Sequence, residues 1–298
     1  QDGLSDSTSL TVAVSGANDS ATISGTATGD VKEDSSSTTG GTLTVADRDT
    51  ADKGFQRPAN LAGTYGTFTF NNSTGVWGYT LNNALDTVQA LKNGENVTDN
   101  LTVKSADGTA SQTIRVTLQG TDDAPVLTAP PTITYTDTAA DDTFSVTNGT
   151  LSASDKDAGD SKTFAITGAA SDSSLSGFDQ SLTGNYGKLY LNSTKGAYRY
   201  VPNDTAIEGL KNNVSETFTL KVSDGSGASD SKVLTVSIRG ANDSATISGT
   251  TIGSVEEDGT LTAGGRLTVA DRDTADTGFQ TPTNLAGTYG TFTFNNST

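Results

Sequence analysis

The chain has 298 residues and a formal charge of −17, from 18 Lys and Arg against 35 Asp and Glu, and it contains no Cys, Met or His. Those absences exclude disulfides, thiol and imidazole catalysis and the usual zinc and copper ligands. The acidic balance argues against a nucleic-acid or anionic-membrane partner and favours a multivalent cation.

Hydrophobic residues make up only 32% of the chain and aromatics 6%, but they fall in short alternating runs, the pattern of ordered strands rather than of a disordered polypeptide. No run of 18 apolar residues occurs, so no membrane insertion of this segment is expected. The first residues lack a charged-then-apolar pattern, and any export signal is expected to lie elsewhere.

Residues 1–19 read as the last strand of a preceding repeat, with Leu10, Val12 and Val14 alternating before Gly16-Ala17-Asn18-Asp19. Residues 20–123 read as one complete β-sandwich repeat, 124–243 as a second, diverged one, and 244–298 as the N-terminal half of a further repeat. The basis is self-similarity: Gly16–Thr74 returns at Gly240–Thr298, identical at 47 of 59 positions. In such an array function belongs to the string of units rather than to one site.

In the first full repeat, strands are predicted near Ala21–Ser24, Thr42–Ala46, Tyr65–Asn71, Val76–Leu81, Leu101–Ser105 and Gln112–Leu118, each alternating with period two and bounded by Gly, Asn, Asp or Ser. Phe68, Phe70, Trp77, Tyr79, Leu81, Ile114, Val116 and Leu118 would share the buried face, with Thr69, Thr113, Arg115 and Thr117 facing water. One short helix is predicted over Asn82–Leu91, with Leu85, Val88 and Leu91 at helical spacing. In the second repeat Tyr198 and Tyr200 take the places of Trp77 and Tyr79, and Ala206, Ile207 and Leu210 form the matching helix. The fold class is therefore all-β: tandem Ig-like or cadherin-like sandwiches, each with one short helix.

Acidic elements recur in phase with the repeats. Linkers end in Asn18-Asp19, Asp122-Asp123 and Asn242-Asp243; an acidic pair follows at Glu33-Asp34, Asp141-Asp142 or Glu257-Asp258; then comes an Asp-x-Asp at Asp47/Asp49, Asp155/Asp157 and Asp271/Asp273. Asp107 and Asp224 precede the last strands, and Asp52, Asp160 and Asp276 lie three residues past each Asp-x-Asp. In a seven-strand sandwich the linker, the loop after the second strand and the loop before the last strand share one end. Asp155, Asp157 and Asp224 are thus expected to meet Asp122 and Asp123, with Glu33 and Asp34 arriving from the preceding repeat. Asn-Asp and Asp-Gly are also ordinary turn residues, but their recurrence in phase points to one shared chemistry. Crowded hard oxygen ligands without nitrogen or sulfur select Ca²⁺, which takes six to eight oxygens, over the small octahedron of Mg²⁺.

Gly75-Val76-Trp77-Gly78-Tyr79-Thr80-Leu81-Asn82-Asn83, Val88-Gln89-Ala90-Leu91-Lys92-Asn93-Gly94-Glu95, Asp107-Gly108 and Gly120-Thr121-Asp122-Asp123-Ala124-Pro125 together resemble the VCBS-type repeat. That family is cadherin-like in fold and occurs in very large bacterial surface proteins exported by type I secretion, including RTX-type biofilm adhesins. The resemblance implies calcium-rigidified extender modules on the bacterial cell surface. Their partners would be the neighbouring repeats of the same chain and, through other domains, surface or matrix glycans or proteins. No catalyst is expected.

Two alternatives stay open from the residues. A carbohydrate- or protein-binding module would use the loops around Phe55 and Phe279, which otherwise tuck under their own sandwich. A glycoside hydrolase would need two carboxylates at a set separation, but identical placement in every unit favours architecture. Residues 244–298 lack counterparts of Trp77, the helix and the last two strands, so weaker order, or completion by another chain, is expected there.

Overall fold

A computed structural model describes residues 2–3, 5–49, 53–273 and 278–296, grouped in two compact units: residues 1–123 with 156–159, and residues 124–155 with 160–298. Asp52 and Asp276 of the sequence motifs lie outside the described residues.

The first unit has seven strands and one short helix: β1 (Thr22–Gly25), β2 (Thr28–Lys32), β3 (Thr38–Ala46), β4 (Gly66–Phe70), β5 (Val76–Leu81), α1 (Asp86–Gln89), β6 (Asn96–Lys104) and β7 (Ser111–Gln119). They form two sheets, ordered β1-β3-β5-β4 and β2-β7-β6. All pairs are antiparallel except β2 with β7, which run parallel from Thr28↔Arg115 to Lys32↔Gln119. Period-two alternation sends Phe68, Trp77, Tyr79, Leu81, Ile114, Val116 and Leu118 into one buried core with Val31, Leu43, Val88 and Val103. The Trp77 indole Nε1 donates to the Thr26 carbonyl at 2.7 Å, which satisfies its only polar atom. Phe55 is also buried, edge-on to Phe70 at 5.1 Å.

Four elements differ most from the sequence reading, the first being β3, which begins at Thr38, four residues before the predicted Thr42. Strand β2 was not expected, because Thr-Gly-Asp-Val-Lys buries only Val31 and contains weak strand formers; its ladder with β7 decides it. The helix spans Asp86–Gln89 rather than Asn82–Leu91, since Asn82 folds the preceding residues into a turn in which its carbonyl accepts the Leu85 N–H. Strand β6 starts at Asn96, five residues before the predicted Leu101, and its polar first half holds the buried Asp99.

The second unit repeats the plan with more, shorter strands: β8 (Val126–Leu127), β9 (Ile133–Thr136), β10 (Thr147–Thr150), β11 (Ala153–Ser154), β12 (Thr163–Ile166), β13 (Ala170–Ser171), β14 (Gln180–Thr183), β15 (Gly187–Leu191), β16 (Ala197–Pro202), α2 (Asp204–Glu208), β17 (Val214–Ser223) and β18 (Ser229–Arg239). The sheets are β10-β16-β15-β14-β13 and β12-β17-β18-β9, with β8 paired to β11. Strand β9 runs parallel to β18, as β2 does to β7. Tyr198 and Tyr200 are buried in the core, in the places of Trp77 and Tyr79. Leu210, expected in the helix, lies just past its end and packs on the core.

The rest of this unit has two strands among its described residues, β19 (Thr246–Gly249) and β20 (Leu267–Ala270), paired with each other. Val255, the counterpart of Val31, is 63% exposed against 1%, because the β7 equivalent that would cover it is missing from these residues. Residues 5–19 form no strand, and Leu10, Val12 and Val14 are exposed, since alternation builds a strand only where a neighbour accepts the ladder.

Each sandwich contains a buried carboxylate that sequence reading missed. Asp99 accepts the backbone N–H groups of Thr64 (2.7 Å) and Tyr65 (2.9 Å) and the Tyr79 hydroxyl (2.6 Å). In the second unit Glu216 accepts the N–H groups of Asn185 (2.8 Å) and Tyr186 (3.3 Å) and the Tyr200 hydroxyl. Both hold a Gly-x-Tyr-Gly loop (63–66 and 184–187) whose first Gly is obligatory, since a Cβ there would lie 2.3 Å from a carboxylate oxygen. Asp99→Ala, which strands three donors, the buried Tyr79 hydroxyl among them, should destabilise the first unit by about 3 kcal/mol in urea unfolding, and Glu216→Ala the second by a similar amount.

Candidate metal centres

At the end of the first unit where β1 begins, five predicted residues meet. The Asn18 side-chain amide donates to Asp107 Oδ2 at 3.1 Å, and the Asp19 N–H donates to Asp49 Oδ2 at 2.8 Å. The Asp49 N–H in turn donates to Asp47 Oδ1 at 2.8 Å, the Asx-type geometry of an Asp-x-Asp loop. Asp47 Oδ2 is shielded from water yet accepts no hydrogen bond. Hydrogen bonds from the Ser105 and Thr109 hydroxyls hold the Asp107 carboxyl well below its usual range.

At the opposite end, where β2 and β7 finish, Glu33, Asp34 and Asp123 offer ligand oxygens within 4.8 Å of one another, as Asp122 and Asp157 do beside them. Glu33 has no exposed surface; its Oε2 accepts the Thr121 N–H at 3.2 Å and its Oε1 the Gln89 Nε2 at 3.1 Å. Asp34, with φ of 54°, accepts the side-chain amides of Asn83 (2.6 Å) and Gln89 (3.1 Å), which lower its pKa. The Asp123 N–H donates to Asp157 Oδ2 at 2.7 Å, while Asp123 Oδ2 is buried without a donor. Asp122 Oδ1 accepts the Asn93 N–H at 3.2 Å. Lys156 Nζ lies 2.5 Å from Gln89 Oε1 and 3.5 Å from Asp123 Oδ1, a tethered cation among these acids.

In the second unit Asp155, Asp160 and Asp224 form one cluster with ligand oxygens within 4.8 Å. Burial raises the pKa of Asp224, but bonds from Ser226, Gly227 and Ala228, all onto Oδ1, outweigh it and lower the value; Oδ2 is left without a donor.

A further cluster is Asp137, Asp142 and Glu208, again within 4.8 Å. Asp137 and Glu208 were absent from the sequence reading. Asp137, rather than Asp141, is the counterpart of Glu33: its N–H donates to the Arg239 carbonyl as Glu33 donates to Gln119, and its Oδ2 accepts the Ala241 N–H as Glu33 accepts Thr121. The signal was its position right after the Ile133–Thr136 alternation. Asp142 accepts the N–H and hydroxyl of Thr138, and its own N–H donates to Glu208 Oε1 at 3.0 Å. Asp141 is exposed and pairs with Arg272 at 3.0 Å. The Asn242 side chain caps the Asp243 carbonyl, the Asp243 N–H donates to Asp273 Oδ2 at 2.8 Å, and the Asp273 N–H donates to Asp271 Oδ1. Burial, then the charge of Asp137, pushes the Asp243 carboxyl up.

Buried, donorless oxygens on Asp137, Asp243 and Asp273 sit in this acidic surrounding. A donor set of carboxylates and carbonyls without nitrogen or sulfur fits a hard divalent cation of Ca²⁺ size. The residues that would hold one are Glu33, Asp34, Asp123 and Asp157 in the first unit, and Asp137, Asp142, Glu208 and Asp243 in the second.

Two main sheets in each unit, closed by a parallel pairing of the second strand with the last, β2 with β7 and β9 with β18, define tandem cadherin-like β-sandwiches. Residues 122–240 match the family model of the bacterial cadherin-like domain. No curated protein matches the sequence. Among solved structures the chain is similar to protocadherin gamma B7 extracellular cadherin domains 1–4, with 16% identity over 83% of this chain and 58% of that one and a TM-score of 0.43. It is similar to mouse cadherin-23 EC22–24, with 15% identity over 77% of this chain and 68% of that one and a TM-score of 0.41. It is also similar to Drosophila N-cadherin EC1–4, with 14% identity over 82% of this chain and 57% of that one and a TM-score of 0.27. The chain thus spans little more than half of the protocadherin and Drosophila structures. Among the described residues no helix is long and apolar enough to cross a membrane.

Burial, with the Asp34, Asp123 and Asp157 charges adding to it, raises the Glu33 pKa to about 7 from 4.5. Between those values the folded state keeps a proton that the unfolded chain has released, so this group's contribution to stability falls as pH rises from about 4.5 to about 7. In metal-free buffer the melting temperature should decline over that window, and Glu33→Gln should flatten the decline in calorimetric scans.

Proposed function

We propose that the chain is an extender segment of a bacterial cell-surface or biofilm adhesin of the VCBS-repeat, RTX type, secreted by a type I route, in which Ca²⁺ rigidifies the junctions between cadherin-like sandwiches. The observation that carries this reading is the set of buried carboxylate oxygens that accept no hydrogen bond, Asp137 Oδ1 and Asp243 Oδ2 foremost. An uncompensated buried charge costs several kcal/mol, and a divalent ion supplies the missing compensation. The same acids at the same phase in successive repeats suit a spacer that holds a distal binding domain away from the cell, and no reaction needs them.

Coupling to metal also gives export a physical role. At low Ca²⁺ the acidic ends repel and leave the chain pliant; at millimolar Ca²⁺, sites with Kd of about 10⁻⁴–10⁻³ M fill and stabilise the folded state. The glycan- or protein-binding alternative loses support at Phe55, which is packed in the core, while half-buried Phe279 lies edge-on to Phe294 at 5.2 Å.

Calcium at millimolar concentration should raise the melting temperature, and small-angle scattering should show the chain lengthening as the ion is added. Asp155→Asn with Asp157→Asn should weaken calcium binding by about tenfold or more in calorimetric titration. A scattering profile and melting curve identical in calcium and chelator would overturn the reading.

A further inference from the structure

The clusters at the ends of the two short helices differ at one position. Val88 and Ile207, both fully buried, occupy the same place, and Leu91 and Leu210 each donate an N–H back to them. Gln89 and Glu208, each one residue further along, are therefore equivalent. Their chemistry is opposite. The Gln89 amide donates to Glu33 Oε1 and Asp34 Oδ1 at 3.1 Å each, filling acceptor sites on the very carboxylates that would bind a cation. Glu208 is itself a carboxylate: Oε1 accepts the Asp142 N–H, and Oε2 is buried and accepts no hydrogen bond, with Arg272 Nε at 3.7 Å.

Each cluster has one tethered cation beside it, Lys156 or Arg272, so the cations do not distinguish them. The linker carries a reverse exchange, Asp122 against Asn242: Asp122 lies with Asp157 on the linker side of the first cluster, so it changes the charge at the linker and not at the helix end. At the helix end the second unit therefore has the extra charge. A second observation marks it as a ligand site: Asp137 is 3% exposed, and its Oδ1 has no hydrogen-bond donor.

We propose, resting on the calcium reading above, that the helix-end residue grades cation affinity along the chain: the Glu208 cluster binds a divalent cation more tightly than the Gln89 cluster and fills first as Ca²⁺ rises. Affinity of oxygen sites for Ca²⁺ is tuned by the number of charged ligands. Gln89 removes one and occupies acceptors on two others, whereas Glu208 adds one whose Oε2 is already withdrawn from water and accepts no hydrogen bond, with Arg272 Nε 3.7 Å away.

The test is reciprocal exchange in the full chain, followed by calorimetric Ca²⁺ titration. Glu208→Gln should remove the tightest binding step, weakening it on the order of tenfold, and Gln89→Glu should tighten a weaker step by a similar factor. Each substitution installs the residue that the other unit already folds with, and melting in metal-free buffer checks folding separately. There Glu208→Gln should raise the melting temperature, because it removes a buried charge facing Asp137 and Asp142. Calcium binding by the parent chain with both variants unchanged, or with shifts in the same direction, overturns the grading while leaving the calcium reading intact. Absence of Ca²⁺ binding by the parent chain at millimolar concentration overturns both.

Discussion

Taking a carboxylate out of water costs several kcal/mol unless donors or a cation replace its hydration, and each unit withdraws several at once. Asp99 and Glu216 solve the problem inside the protein: two backbone N–H groups and a tyrosine hydroxyl point at each, so the charge becomes a fastener for a tight loop. The acids at the unit ends are left unsolved. Asp137, Asp243 and Asp273 keep oxygens that nothing in the protein donates to, and the raised pKa values of Glu33 and Asp243 express the same deficit as a preference for protons. One fold thus contains both satisfied and unsatisfied buried charge.

The sandwich itself was legible because its signals are local. Alternation marks β4, β5 and β7, and Trp77 and Tyr79 fall on the buried face that the pattern assigns them. What escaped depended on partners far away in sequence. Strand β2 has one buried side chain and exists because β7 offers it a parallel ladder. Asp99 sits among Thr, Asp and Asn residues that read as an exposed stretch; only the fold brings Thr64, Tyr65 and Tyr79 to it.

The acidic constellations were legible as a recurring set but not in detail. Linker and Asp-x-Asp residues are adjacent through hydrogen bonds such as Asp19 to Asp49 and Asp243 to Asp273. The acidic pair of the second repeat was misaligned by four residues, because Asp137 directly follows the short strand Ile133–Thr136, and Thr138–Ala140 separate it from Asp141-Asp142. Gln89 and Glu208 carried no sequence signal as members of the acidic clusters, since each reads as an ordinary polar residue on a short helix.

The parallel pairings of β2 with β7 and of β9 with β18 also have a mechanical meaning. The chain enters each sandwich through a short strand, β1 or β8, just ahead of the first of these strands and leaves it at the end of the second, so tension that reaches the pair drags the two past each other lengthwise. All rungs of the ladder then resist together. An antiparallel pair at the same place would unzip one rung at a time, and would give way at a far lower force.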